Sequence, residues 1–214
     1  MTLRLRSGQA LAFALVLLVA APAFAQFHGI DAHPFLLATD QRFAAQTTFN
    51  AVFGSAAESF WGGGVDVVIR RKYYVDLAIS RMSKTGQRAF INNGQAFSLG
   101  IPVRVTLTPV ELTGGYRFRF RNSRIVPYAG AGIGTYSYRE TSDFAAAGEN
   151  VDVSHAGFVM TAGAEFRVSR WVAIAGDAQY TKIPDIYGQA GISKDVSENS
   201  LGGVAARLRV ILVR

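Results

Sequence analysis

The sequence predicts an all-β fold, an eight-stranded antiparallel up-and-down transmembrane β-barrel. Apolar and polar residues alternate in several segments, which is the period of a strand because successive side chains point to opposite faces. Gly, Phe and Tyr are abundant, with 22, 15 and 8 residues, while Pro numbers only 6. This composition favours strands over helices. After the N-terminal segment no apolar run reaches the roughly 18 residues of a transmembrane helix, so the chain would have to cross a membrane with strands.

The N-terminal segment has the order of a secretory signal peptide. Two arginines precede a short apolar run, and an A-x-A site ends at Ala25. The run is too short and too poorly flanked to anchor the chain in a bilayer. We therefore expect residues 1–25 to be cleaved, residues 26–34 to form an N-terminal extension and residues 35–214 to form the barrel domain.

Alternation is clearest in two neighbouring runs. In residues 65–69 Val and Ile occupy one face and Asp66 the other, and the run that begins at Tyr73 repeats the pattern with Asp76 on its polar face. Only three residues separate the runs, which predicts a tight hairpin at Arg70, Arg71 and Lys72. Asp66 and Asp76 would then lie nearly opposite each other, and we expect an arginine to intervene between the two charges.

The next segment, residues 101–120, changes phase. Its apolar residues are odd-numbered from Ile101 to Leu107 and even-numbered from Val110 onward, with Pro109 at the switch. Because proline cannot donate to the hydrogen-bond ladder, we expect a β-bulge there. Four further strands cover residues 126–138, 156–167, 172–180 and 204–212. Together these runs give seven strands, and the best candidate for the eighth is the weakly patterned stretch from Phe35 to Phe43.

The connections between these strands alternate in length. The short ones cover residues 70–72, 121–124 and 169–170. The long ones are rich in Gly, Asn, Ser and Asp and cover residues 44–59, 83–100, 141–153 and 183–200. In an up-and-down barrel all long loops then lie at one end, which is the asymmetry of outer-membrane barrels. Within the first long loop we expect a helical turn from Thr48 to Phe53.

One face of the strands is almost wholly apolar, and the other collects ten charged residues. They are Asp66, Asp76, Glu111, Arg117, Arg119, Glu165, Arg167, Asp177, Arg207 and Arg209. An eight-stranded barrel is just wide enough to be filled by side chains, and buried charges must pair. The pattern therefore favours a salt-bridged plug in the lumen. A proton or ion path is the alternative reading of the same residues.

Aromatic residues lie towards the strand ends and predict girdles at the membrane interfaces. These residues are Trp61, Tyr73, Tyr116, Phe120, Tyr128, Tyr136, Tyr138, Trp171 and Tyr180. The alternative is an ordinary aromatic core in a soluble β protein.

Residues that could carry chemistry do not form a known constellation. Ser154, His155 and Asp152 are close in sequence, but neighbours on a strand point to opposite faces and cannot form a dyad. His28 and His33 are near each other, yet no Cys completes a metal site. We expect no catalytic residue, no metal ligand and no cofactor, and no ligand-binding residue can be assigned.

The charge pattern excludes one class of partner. The chain carries 22 Lys and Arg against 15 Asp and Glu, a formal net charge of +7. The basic residues are scattered through the alternating segments, so we expect no nucleic-acid partner.

Several motifs resemble those of one protein group. The run VPYAGAGIGTY from Val126 to Tyr136, the run GGYRF from Gly114 to Phe118, the signal peptide and the final strand are similar to the small outer-membrane β-barrel proteins, the OmpA-like and OmpW-like eight-stranded barrels. The resemblance implies a monomeric or loosely associated barrel that the barrel assembly machinery inserts into the outer membrane, in contact with outer-membrane lipid. Such relatives serve as structural anchors, adhesins or narrow conduits.

The leading functional hypothesis is a non-enzymatic integral barrel with a side-chain-filled lumen and a structural or surface-binding role. A soluble periplasmic barrel that binds a small apolar molecule is one alternative, because alternation alone does not tell which face points inward. A narrow outer-membrane conduit is another. A lipid-modifying enzyme is the third, and it would need a Ser or His that meets a carboxylate at the lipid rim.

Overall fold

The computed structural model describes residues 29–92, 95–120, 124–142, 150–184 and 200–213. The predicted signal peptide, residues 1–25, lies outside the described residues, as does His28. Most of two expected long loops and part of one expected short turn also lie outside them, at residues 143–149, 185–199 and 121–123.

The chain forms a closed antiparallel barrel in which each strand pairs with the next and the last pairs with the first. The strands are β1 (Ile30–Phe43), β2 (Ala57–Ile69), β3 (Tyr73–Asn92), β4 (Gln95–Arg117), β5 (Ile125–Thr141), β6 (Val151–Arg167), β7 (Val172–Lys182) and β8 (Gly203–Leu212). The predicted eight-stranded up-and-down topology is confirmed. No helix in the described ranges is long and apolar enough to span a membrane.

One short helix, α1 (Gln46–Phe53), joins β1 to β2 where a helical turn was predicted. Its C-cap is Gly54, which takes a left-handed φ of 72° and donates its backbone N–H to the Asn50 carbonyl at 2.9 Å. Glycine adopts this conformation without a steric penalty and ends the helix there. Phe49 is the buried residue of the helix and holds it against the barrel.

The predicted hairpin between β2 and β3 is present, and it is tight. Arg70 and Arg71 take positive φ values of 50° and 59°, and Lys72 donates its backbone N–H to the Ile69 carbonyl at 3.1 Å. Positive φ at both central residues gives the turn a twist that matches the flanking strands.

Several strands extend beyond their predicted bounds, and the differences are largest in β1 and in the hairpin of β3 and β4. β1 begins at Ile30 rather than Phe35. His33 points into the polar interior, and its cross-strand partner on β2 is Asp66. A polar residue at this place therefore does not mark the end of a strand. Residues 83–100 were expected to form a long loop, but most of them belong to two strands. β3 continues to Asn92, and β4 begins at Gln95.

The apolar face of the strands points outward and the charged face points inward. Leu77 and Ile133 are 52% and 66% exposed, whereas Asp66 and Asp76 are each 3% exposed. A continuous outer surface of this kind suits lipid and would be an unusually large apolar patch in water. The described strands therefore contradict the alternative of a soluble barrel with an apolar interior.

The lipid-facing apolar band ends partway along the strands. The outward residues change from Ile79 to Arg81 on β3 and from Ile133 to Thr135 on β5. Beyond this level the outer surface is polar, and the inward residues become apolar, as in a water-soluble protein. The strands therefore leave the membrane and continue as a second, water-exposed half of the same barrel.

This change of surroundings explains the phase switch in β4, and the predicted bulge at Pro109 is wrong. Ile79 pairs with Val110, and Met82 pairs with Leu107 in the same register, so no residue is inserted. Pro109 itself pairs in register with Tyr136 of β5. The odd-numbered residues of β4 face inward from Val103 to Arg117, and what changes at Pro109 is whether the interior is apolar or polar.

Three tyrosines predicted for the girdles lie inside the barrel instead. Tyr128, Tyr136 and Tyr138 are buried, and they share the inward face of β5 with its glycines. Gly130 on the same face makes room for a further buried ring, since a Cβ there would lie 2.3 Å from the Tyr74 hydroxyl. The missing side chain leaves room for the Tyr74 ring, which comes from β3, two strands away.

We expect Gly130→Ala to lower the free energy of unfolding by about 2 kcal/mol, because the added methyl group forces Tyr74 or the backbone to move. The measurement is urea unfolding of the refolded barrel in detergent, followed by tryptophan fluorescence. Gly176→Ala is the matched control, since a Cβ at Gly176 meets no atom within 4 Å. Equal stability of the two variants would contradict this account of Gly130.

Candidate functional site

The barrel interior consists of two layers with different chemistry. The layer towards the short turns is charged, and we call it the ion-pair layer: Asp66, Asp76, Glu111, Arg117, Glu165, Asp177, Arg207 and Arg209. The layer towards the long connections is apolar, and we call it the apolar layer: Phe43, Ala45, Phe49, Ala56, Phe60, Met82, Val105, Leu107, Tyr136, Tyr138, Ile183 and Leu201.

Arg117 joins two carboxylates from different strands. Its Nη1 lies 3.1 Å from Asp66 Oδ2, and its Nη2 lies 2.5 Å from Glu165 Oε2. The guanidinium group is planar and has several donors, so it can bind two acids at once. Arg117 thereby ties β4 to both β2 and β6 through the lumen.

Arg209 and Arg207 build a longer chain of ion pairs. Arg209 lies 2.6 Å from Asp76 and 3.2 Å from Asp177, and Arg207 lies 2.5 Å from Asp177 and 3.6 Å from Glu111. Asp177 is shared between the two arginines. Arg209 also lies over the ring of Tyr128, with its guanidinium carbon 5.0 Å from the ring centroid.

Asp66 and Asp76 are direct cross-strand partners, as their spacing in sequence predicts. Two arginines from distant strands keep the carboxylates apart, Arg117 on Asp66 and Arg209 on Asp76. Like charges placed opposite each other destabilise a sheet, and these contacts offset that repulsion.

The structure brings together eight of the ten charged residues proposed for the lumen, but not Arg119 and Arg167. Both of these side chains are exposed, because β4 ends at Arg117 and Arg167 is the last residue of β6. The described ion-pair layer therefore holds five acids and three arginines, whereas the ten residues predicted for the lumen are five acids and five arginines.

Neutral donors supply further hydrogen bonds to these carboxylates. The Tyr128 hydroxyl donates to Asp177 at 2.7 Å, and the Tyr136 hydroxyl donates to Glu111 at 2.8 Å. The Gln179 amide also donates to Glu111, at 2.8 Å. These three residues share the inward parity of their strands, and that parity was the signal in the sequence that could have identified them.

The apolar layer closes the outer half of the lumen. The rings of Phe43 and Phe49 stack with centroids 4.0 Å apart, and Phe60 packs against Phe43 at 6.2 Å. Helix α1 supplies Phe49, so the helix covers the end of the barrel that carries the long connections. An ion pair between Lys84 and Glu58 lies beside this layer.

The structure separates the residues that could be imagined as a catalytic triad. Asp152 faces outward and pairs with Arg139 at 2.6 Å, and Ser154 contacts Ser137 at 3.3 Å on the same outer surface. His155 belongs to the inward parity of β6. Across the described ranges, no three His, Cys, Asp or Glu residues are placed to hold a metal ion.

We expect Arg209→Met to lower the free energy of unfolding by about 3 kcal/mol, because the change leaves the carboxylate of Asp76 buried without its cation. Arg139→Met is the matched control. Its partner Asp152 lies at the same 2.6 Å, but the two side chains are 63% and 62% exposed. We expect that control to lose less than about 1 kcal/mol. Equal losses in urea unfolding would contradict this prediction, because they would show that a buried ion pair contributes no more to the free energy of unfolding than an exposed one.

Comparisons with known proteins agree with this architecture. Residues 11–203 match the family model described as outer membrane protein beta-barrel domain. Neisserial surface protein A superposes with a TM-score of 0.51 at 11% identity, over 86% of this chain and 97% of its own. The N-terminal β-barrel domain of Pseudomonas aeruginosa OprF gives 0.45 at 12%, over 84% and 96%. Ail of Yersinia pestis gives 0.44 at 14%, over 86% and 95%.

No curated protein matches the chain. The family match nevertheless covers most of its length, and the likeness to Neisserial surface protein A is to the fold alone. An outward apolar band, a closed ladder and a charged interior are what a bilayer requires of such a fold. The chain therefore belongs to the outer membrane β-barrel domain family and is an integral protein of the Gram-negative outer membrane.

Proposed function

We propose that the chain is a non-enzymatic outer-membrane barrel with a closed lumen, and that its role is structural or surface-binding. One observation carries the proposal, namely that side chains fill both layers of the interior. An ion that entered from outside would first have to displace the stacked Phe43 and Phe49 rings. It would then have to break the contacts of Arg207 and Arg209 with their buried carboxylates.

The energetics of buried charges favour a salt-bridged plug in the lumen over an ion-conducting path. Removing one partner of a buried ion pair leaves an uncompensated charge, which is costly in a low-dielectric interior. Arg117, Arg207 and Arg209 each bridge two acids, so moving any one of them disturbs two carboxylates together. The network thus resists the rearrangement that conduction would need.

A surface-binding role is supported by a ribbon that projects beyond the barrel. The pairing of β2 with β3 ends at Arg81, and the pairing of β5 with β4 ends at Arg104. The remaining parts, residues 82–92 and 95–103, pair with each other. Gly86 still packs against α1, since a Cβ there would lie 2.4 Å from the Val52 carbonyl oxygen. Beyond this contact, residues 87–92 and 95–102 extend by about 20 Å at the rise of a strand. Phe97 and Leu99 are exposed on this ribbon. Exposed apolar side chains outside the membrane suit contact with another molecule.

The proposal extends to export and assembly. We infer that residues 1–25 are removed as a signal peptide and that the barrel assembly machinery inserts the chain as a monomer surrounded by outer-membrane lipid. The separation of Ser154 from His155 on opposite faces of β6 supports the non-enzymatic part of the proposal against a lipid-modifying enzyme.

The test of the closed lumen is electrical recording in planar lipid bilayers. We expect the inserted barrel to give no steady conductance, whereas a sixteen-stranded porin in the same bilayer gives open channels. Heat-modifiable migration on a gel verifies that the protein is folded. Steady large channels from the folded protein would refute the plug.

Lipid analysis tests the non-enzymatic part separately. We expect the mass spectrum of outer-membrane lipids to be the same in cells with the protein and in cells without it. A lipid species that appears only when the protein is present would count against this part, and its loss in a Ser154→Ala variant would assign the chemistry to that residue.

A further inference from the structure

Exposed basic residues surround the end of the barrel that carries the short turns. We call them the basic rim: Arg70, Arg71, Lys72, Arg119, Arg124, Arg167 and Arg170. They come from the connections that follow β2, β4 and β6 and, for Arg167, from the end of β6 itself, and these places are far apart in sequence. The fold gathers them at one end, whereas in the sequence only Arg70, Arg71 and Lys72 are consecutive. Two of them, Arg119 and Arg167, are the residues that the interior leaves out.

The basic rim differs from the other cations of the described residues in its surroundings. Among the residues that the structure describes, none of the rim side chains forms an ion pair, and Asp31 is the one exposed carboxylate at this end of the strands. Other arginines of the chain form ion pairs with carboxylates. Arg209 binds buried acids and Arg139 binds Asp152. An excess of unpaired positive charge at one end favours an anion from outside the chain.

The position of the rim relative to the membrane identifies the anion. Exposed aromatic residues of the lipid-facing surface adjoin the rim directly: Tyr73 follows Lys72, and Trp171 follows Arg170. The guanidinium carbon of Arg170 lies 5.2 Å from the centre of the Trp171 ring. Aromatic girdles occupy the interface between hydrocarbon and headgroups. The rim therefore lies at the level of the lipid phosphates.

We propose that the basic rim binds the phosphate groups of anionic phospholipids in the periplasmic leaflet. Short turns face the periplasm in this class of barrel, which places the rim in that leaflet. A guanidinium group binds two phosphate oxygens at once, and six of the seven rim residues are arginine. Turns on three sides of the barrel would gather a shell of anionic lipid around its periplasmic end.

The two tryptophans of the chain allow a direct test, because they lie at opposite ends of the lipid-facing surface. In a Trp61→Phe variant, Trp171 is the reporter beside the rim. The full chain is reconstituted in vesicles that contain phosphatidylcholine and phosphatidylglycerol, with bromine on one lipid or the other. We expect brominated phosphatidylglycerol to quench Trp171 with a roughly fivefold preference at low salt, and the preference to fall as salt rises.

A charge-neutral variant gives the decisive comparison. Arg124→Gln, Arg167→Gln and Arg170→Gln together remove the rim cations nearest to Trp171, and we expect the preference to fall close to unity. Arg81→Gln with Arg104→Gln is the matched control, since both residues lie beyond the opposite edge of the apolar band, and it should retain the preference. Heat-modifiable migration verifies that all variants fold.

Three results would overturn the proposal. Equal quenching by both lipids would show that the rim does not select anionic lipid. A preference that survives in the triple glutamine variant would place its origin elsewhere. Rim-dependent sedimentation with purified cell-wall polymer, without any lipid preference, would assign the rim to the wall instead. None of these results depends on whether the lumen conducts, so the outcome is separate from that of the electrical recordings.

Discussion

The closing of the hydrogen-bond ladder is the constraint on which the rest of this structure depends. β1 pairs with β8 from Phe35 opposite Ile211 to Phe43 opposite Gly203, so no strand has a free edge at membrane depth. Hydrocarbon offers no partner to a backbone N–H or C=O, and an open sheet would leave a row of them unsatisfied. Once the ladder is closed, the two strand faces have separate surroundings. The outer face must be apolar, and charges can lie only in a lumen narrow enough for them to meet.

The barrel combines two opposite rules of burial along the same strands. In the membrane half, apolar side chains face outward and three arginines join five acids inside. In the outer half, polar side chains face outward and an aromatic core fills the inside. The reversal occurs at one level on neighbouring strands, for instance between Ile79 and Arg81. A single unbroken register can serve both halves because the side chains alternate, whatever the surrounding medium.

Much of the fold follows from alternation, and the errors have a common origin. The strand number, the hairpin at Arg70 to Lys72 and the helical turn near Phe49 could be predicted, since each depends on local pattern. Alternation does not tell where the membrane ends, so the change of phase at Pro109 was taken for a bulge. Nor does it tell how wide the lumen is, so Tyr136 was assigned to the outside although Gly134 and Gly157 make room for its ring. Arg119 and Arg167 have the parity of lumenal residues but lie at strand ends, where water is accessible.

The uneven distribution of charge between the two ends of the barrel bears on how the chain is oriented during insertion. A barrel that enters the outer membrane from the periplasm must carry its long connections through the hydrocarbon, while its short turns stay on the side of departure. Moving a guanidinium group through the bilayer centre is costly. The seven cations of the rim never have to make that passage, whereas an inverted barrel would have to translocate all of them. The turns thus carry an energetic preference for one topology, independent of any signal read by the insertion machinery.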